Sequence, residues 1–128
     1  GNGELASFFL QPSTSSEGRV QVTLMEDNPQ LAAEAEHRFN HWAEMHDEDP
    51  AERASVVSCG ECPWPLESRS VDVIVLAFVL HHVEGGEAGR REMMLEAARV
   101  LRERSGSSKS RILVLEDSPE LAPPGAAR

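Results

Sequence analysis

The chain has 128 residues, enough for one domain with a packed core of its own. Its formal net charge is −10, with 22 Asp and Glu against 12 Lys and Arg. That balance excludes nonspecific nucleic-acid binding, which needs clustered cations to displace counterions, and it disfavours anionic membrane surfaces.

No apolar run is long enough to span a bilayer; the longest covers residues 73–80. The two cysteines, Cys59 and Cys62, are too few and too close for a secreted disulfide framework. A soluble, reducing, cytoplasmic setting is therefore expected. There is no start methionine or signal peptide in view, so a targeting segment upstream of Gly1 stays open.

In chain order, Gly1-Asn2-Gly3 leads into an apolar-rich stretch, residues 4–10, that predicts a first helix. Residues 11–18 are a Pro, Ser, Thr and Gly cluster with loop chemistry. Residues 19–25 (RVQVTLM) are rich in β-branched side chains and predict a strand. Asn28 and Pro29 then have the chemistry of an N-cap and a first helical residue. The helix expected from Pro29 to about Met45 carries Leu31, Ala35, Phe39 and Trp42 on one face.

Residues 46–53 are polar and acidic and are expected to form a loop. Residues 54–58 (ASVVS) predict a short strand, and residues 59–70, with Gly60, Pro63 and Pro65, an irregular connection. Residues 71–80 are the longest strand expected. Their nearly continuous apolar run predicts burial on both faces, as in a parallel sheet. Gly85, Gly86 and Gly89 mark a loop, and residues 90–103 a helix with Met93, Met94, Ala97, Val100 and Leu101 as its apolar stripe. Residues 111–115 (RILVL) predict a last strand. The tail from Ser118 to Arg128, rich in proline, is expected to be loop or disordered. Apolar strands separated by amphipathic helices mean an α/β fold with a mostly parallel sheet.

In such folds ligands bind beyond the carboxyl ends of the strands. Glu26 follows the first visible strand, where a carboxylate can accept hydrogen bonds from both hydroxyls of a ribose; a solvated loop acid is the plain alternative. Gly1 and Gly3 precede a helix, where glycine lets backbone approach a ligand closely.

Taken together the segments resemble the class I methyltransferases of the broad type 11 group. Gly1-Asn2-Gly3-Glu4-Leu5-Ala6 resembles the end of that family's glycine-rich first motif. The segment Thr23-Leu24-Met25-Glu26-Asp27-Asn28-Pro29 resembles its second. Cys62-Pro63-Trp64-Pro65 resembles its Leu-Pro-Phe turn, and Ser70-Val71-Asp72-Val73-Ile74-Val75 its fourth strand. Leu80-His81-His82-Val83 resembles the segment after that strand. Ala98-Arg99-Val100-Leu101-Arg102 resembles its Arg-Val-Leu helix end, and Arg111-Ile112-Leu113-Val114-Leu115-Glu116-Asp117 its fifth strand. The resemblance covers Gly1 to about Asp117, leaving residues 118–128 outside a partial cofactor-binding core of residues 1–117.

The resemblance implies a Rossmann-like, doubly wound, mostly parallel sheet with helices on both faces. It is incomplete, because the chain begins inside the glycine-rich motif, so that the first strand and the C-terminal strands are missing. In the family that first strand lies between the strands ending at Met25 and Leu80. A chain without it is expected to fold poorly and bind cofactor weakly.

The implied activity is S-adenosylmethionine-dependent methyl transfer to a small-molecule acceptor by in-line displacement, the protein supplying alignment. The implied cofactor contacts are Gly1 and Gly3 at the methionine part, Glu26 at the ribose hydroxyls, Asp27 beside the adenine, and Ala77 close to the methyl donor. The family carries an acid after its third strand, near the adenine amine. Here Ser58-Cys59-Gly60-Glu61 occupies that stretch, so Ser58 or Cys59 supplies a weaker contact or Glu61 reaches in. His81 and His82 are the only nearby general-base candidates. Packing at the strand end is the better reading of them, so no catalytic residue is assigned. Substrate choice in this family lies in N-terminal additions and in insertions after the fifth strand, so the acceptor is not legible.

Other features point elsewhere less strongly. Cys59 and Cys62 form a C-x-x-C, and His37 with His41 share a helix face. A zinc site from these four is outweighed by two cysteines beside a turn, so no metal is expected. The acidic run of residues 44–52 reads as a solvated loop, and Trp64 as a core anchor. A degenerate, noncatalytic methyltransferase-like module and a different nucleotide-binding Rossmann domain are the rival functions.

Overall fold

A computed structural model of the chain describes residues 1–11, 20–77, 79–80, 83–103 and 110–116. They divide into two compact units, Gly1–Glu61 and Cys62–Arg128.

In the first unit α1 (Glu4–Ser7) begins after Gly3, whose φ of 85° is left-handed. The expected helix over residues 4–10 keeps only one α turn. Phe8, Phe9 and Leu10 continue it with N–H bonds to the carbonyls three residues back, the tighter 3₁₀ pattern common at helix ends. That tightening seats Leu10, 2% exposed, against Ala35 and Phe39.

β1 (Val22–Met25) is shorter than the expected strand over 19–25, whose first residue lies outside the described residues. α2 (Pro29–Met45) matches its expected bounds. Asn28 caps it by accepting from the N–H groups of Gln30 and Leu31, with Pro29 in the first turn, where a missing N–H costs nothing. The buried face is Ala35, Phe39 and Ala43, four residues apart; Leu31 and Trp42 flank it half-buried. Burying a ring such as Phe39 contributes about 1.5–3 kcal/mol. The helix ends in a Schellman motif: Glu48 N–H donates to the Ala43 carbonyl and Asp47 N–H to that of Glu44. Asp47 takes the left-handed position, φ 52°, that glycine usually fills.

The expected loop over residues 46–53 contains a helical turn, α3 (Pro50–Arg53), capped by Asp49 with Pro50 at its start. The acidic composition concealed it, because Asp49 and Glu48 are structural here rather than solvated. β2 (Ala54–Val57) then pairs with β1 in parallel, Val22 opposite Ala54 and Met25 opposite Val57. Parallel neighbours need a crossover connection, and α2 with α3 supplies it.

Arg53 ties this unit together and is 2% exposed. Its guanidinium donates to the Val20 carbonyl at 3.1 Å, to the Gln11 carbonyl at 2.7 Å and to both carboxylate oxygens of Glu48, and lies 4.9 Å from the Trp42 ring centroid. One side chain thus satisfies backbone carbonyls from the segments entering β1 and leaving α1. It is the reason a charged residue can sit in this core.

In the second unit β3 (Val73–Ala77) pairs in parallel with β4 (Arg111–Leu115), Val73 opposite Arg111 and Ala77 opposite Leu115. The crossover is α4 (Gly86–Val100), which starts four residues before the sequence predicts. Gly89 explains the early start: a Cβ there would stand 2.0 Å from the Glu84 carbonyl oxygen, so the glycines belong to the helix entry. Leu101 leaves the helix to form a parallel bridge with Val71.

The expected strand over 71–80 is corrected twice. Only five residues are strand, and of these only Leu76 is buried, while Val73 is 48% exposed. The described strands pair two by two, β1 with β2 and β3 with β4, and most β3 side chains are half-buried or exposed. Glu96 stands buried within α4's inward stripe beside Ala97 and Val100. It accepts the Trp64 N–H and the Arg99 guanidinium, and Arg99 also donates to the Trp64 carbonyl at 3.2 Å. Trp64, 7% exposed, is the anchor its sequence context suggested.

Both units are βαβ elements with parallel pairing, which fits an incomplete α/β Rossmann-like fold. Among the described residues no helix is long and apolar enough to cross a membrane. The residues of the expected tail, 118–128, lie outside the description.

Candidate functional site

Parallel β1 and β2 end side by side, at Met25 and Val57, and the residues that follow them converge at one lip of the first unit. Glu26 continues the ladder by donating its N–H to the Val57 carbonyl at 3.0 Å. Its carboxylate is therefore carried by the sheet, not by a free loop. Oε2 accepts the Asn28 N–H at 2.9 Å. The helix cap and the acid are thus built from the same three residues: Asn28 caps α2 with its side chain and orients Glu26 with its N–H. The spacing of Glu26 and Asn28 was visible in the sequence, but not that the one holds the other.

Partial burial pushes the Glu26 carboxyl up. The Asn28 N–H opposes this by favouring the charged form. Glu26 is an anionic acceptor near neutral pH.

In the glycine segment a side chain at Gly1 would meet open space. At Gly3 a Cβ would lie 3.0 Å from both Cα and Cβ of Ala35, and Gly3 has a left-handed φ. It lets the chain turn into α1 hard against α2. With only four residues in α1, the glycine segment contributes backbone approach rather than a helix dipole.

On the β2 side Ser58 is exposed and Cys59 half-buried. The Cys59 N–H donates to the Val57 carbonyl and its thiol to the Glu61 carbonyl at 3.3 Å. Gly60 packs against Asp27, a contact that sequence reasoning missed, since a single loop glycine carries no signal of what lies above it. Gly1, Gly3, Glu26, Asp27, Ser58 and Cys59 all belong to the first unit, whereas Ala77, half-buried at the end of β3, belongs to the second. His81 and His82 lie outside the described residues. Two clefts of about 570 and 270 Å³ lie in the second unit, and neither is lined by a site residue named above. Among the described residues no group of three or more His, Cys, Asp or Glu is placed to hold a metal ion.

A sheet-borne carboxylate at the carboxyl end of a parallel strand suits the sugar of a nucleoside-containing cofactor: a vicinal diol donates two O–H groups, and Glu26 offers only acceptors. The arrangement is that of a parallel α/β domain with an acid at its strand ends. The chain belongs to the type 11 methyltransferase family, whose "Methyltransferase domain" model matches residues 1–105. Neither the curated proteins nor the solved structures give a match.

Proposed function

We propose that this domain binds S-adenosylmethionine at the Glu26 lip and transfers its methyl group to a small-molecule acceptor. The reading draws on the Glu26 carboxylate at the carboxyl end of parallel β1, with its backbone in the ladder to β2 and its side chain oriented by the Asn28 N–H. Glu26 accepts from the ribose hydroxyls, and Asn28 keeps its carboxylate in place through the backbone N–H. Gly1 leaves room for the methionine part, and Ser58 and Cys59 border the adenine. The bound cofactor supplies a methyl group already activated on a sulfonium for in-line displacement, so the chain's residues need only bind, align and exclude water. No side chain is assigned as a base.

Titration calorimetry of the full-length protein with S-adenosylhomocysteine tests this. Binding is expected, and Glu26→Gln is expected to weaken it about tenfold, the worth of a hydrogen bond to a charged group. Absence of binding by a folded protein refutes the reading. It would favour the second one, a noncatalytic module of the same family, which draws on Ser58 standing where the family carries an acid. Binding of NAD in its place would select another nucleotide class.

A further inference from the structure

The larger cleft of the second unit, about 570 Å³, is lined by Ser68, Arg69, Ala98, Arg99, Leu101 and Glu103. It lies where α4 ends and Leu101 bridges Val71, so along β3 it is at the opposite end from Ala77.

Arg69 is out of place in this turn. Its φ of 57° is left-handed, which glycine adopts freely and arginine only at a cost. Its side chain returns little to the fold. Its ion pair with Glu103 spans 3.8 Å, and the two side chains are 69% and 82% exposed, so water screens most of the attraction. A strained cation that contributes so little to folding points to a use beyond it.

Arg99 is held rigidly beside it. Buried Glu96 accepts from its Nε and Nη2, and the Trp64 carbonyl accepts from Nη2 at 3.2 Å. Nη1 donates to the Ser68 hydroxyl at 3.1 Å. Ser68 accepts in that bond, so its own proton is left to donate, and Nη1 carries a second N–H. The last carbonyls of α4, which would repel an anion, are covered. Arg69 N–H donates to that of Arg99, and the N–H groups of Ser70 and Val71 to that of Val100. The cleft thus offers the Arg69 fork, the Ser68 hydroxyl and an Arg99 N–H, against the Glu103 carboxylate as its side-chain acceptor.

We propose that this cleft binds the phosphate group of a small molecule, which displaces Glu103 from Arg69. Donors from three side chains suit the three terminal oxygens of a phosphate better than the two coplanar oxygens of a carboxylate. The volume leaves room for the rest of the molecule. The chain's charge of −10 opposes any general attraction for anions, so recognition is local to these donors. The site is independent of the cofactor reading above.

The test is an NMR titration of the full-length protein with inorganic phosphate at constant ionic strength, with succinate as the carboxylate comparison. The reporters are the Nε–H signals of Arg69 and Arg99. Phosphate is expected to shift both saturably, with a Kd of about 1 mM, and succinate to bind more weakly. Arg69→Gly is expected to weaken phosphate at least about tenfold, read at Arg99, without lowering the thermal midpoint, since glycine suits the turn. Glu103→Gln removes the competing carboxylate and is expected to tighten phosphate about threefold. Ser68→Ala removes one donor, should weaken phosphate about fivefold, and carries the test if Arg69→Gly does not fold. No saturable shift up to about 50 mM phosphate overturns the proposal, as does succinate binding as tightly or Arg69→Gly binding as well as the parent. Loss of binding that follows a lowered thermal midpoint in both weakened variants assigns these residues to the fold and overturns it too.

Discussion

Replacing Arg53 with alanine removes the partner of a buried carboxylate and two carbonyl acceptors' donor at once. Arg53 is 2% exposed, and the Glu48 side chain with which it pairs is 11% exposed, so water screens neither well. Stripping one member from a buried pair costs about 3–5 kcal/mol, because the remaining charge stays desolvated without compensation. The orphaned Val20 and Gln11 carbonyls and the space left beside Trp42 put the expectation at the upper end. Small domains have total stabilities of about 5–15 kcal/mol, so most of the first unit's margin would go. Urea denaturation can follow this unit alone. Of the two tryptophans, Trp42 is in the first unit and Trp64 in the second, so fluorescence in a Trp64→Phe background reports the first. With a slope of about 1 kcal/mol per molar, the midpoint should fall by roughly 5 M, so that the native baseline vanishes. Arg53→Met with Glu48→Leu removes both charges and should lose less than half as much, leaving only the carbonyls unsatisfied. A midpoint for Arg53→Ala within about 0.3 M of the parent would refute the reasoning, as would a double variant no better than the single one.

Three further perturbations read other parts of the fold. Gly3→Ala combines a left-handed φ with a contact at 3.0 Å on Ala35, and is expected to destabilise the first unit by about 1–3 kcal/mol in the same denaturation assay. Asp47→Gly puts glycine at the left-handed position of the Schellman motif and should stabilise by about 0.5–1 kcal/mol, raising the thermal midpoint. The Arg99 guanidinium, aided by the Trp64 N–H and opposed by desolvation, holds the Glu96 carboxyl below its ordinary 4.5. Its contribution is therefore full above pH 4.5 and lost as pH falls through the lower folded value; Glu96→Gln should flatten that part of the stability profile, measured by denaturation at stepped pH.

Much of the local structure was legible without coordinates. Asn28 and Pro29 announced the start of α2, and the four-residue spacing of Ala35 and Phe39 announced its buried face, because capping and helical periodicity are properties of neighbouring residues. Glu26 was singled out by its place after a strand. The errors share one cause. Residues 71–80 read as a strand buried on both faces, but exposure depends on what packs against each face, and no window of sequence shows that. Residues 46–53 read as a solvated loop, yet Glu48 is engaged by Arg53 and Asp49 caps α3. The sequence by itself determined the α/β class, the order of its elements apart from α3, and the family that order belongs to. Tertiary structure alone decided that Gly3 lies hard against Ala35 of α2, that the Asn28 N–H holds Glu26, and that Gly60 lies under Asp27. These are contacts between residues brought together by the ends of paired strands, and their strength depends on distances of a few tenths of an ångström that composition and spacing do not encode.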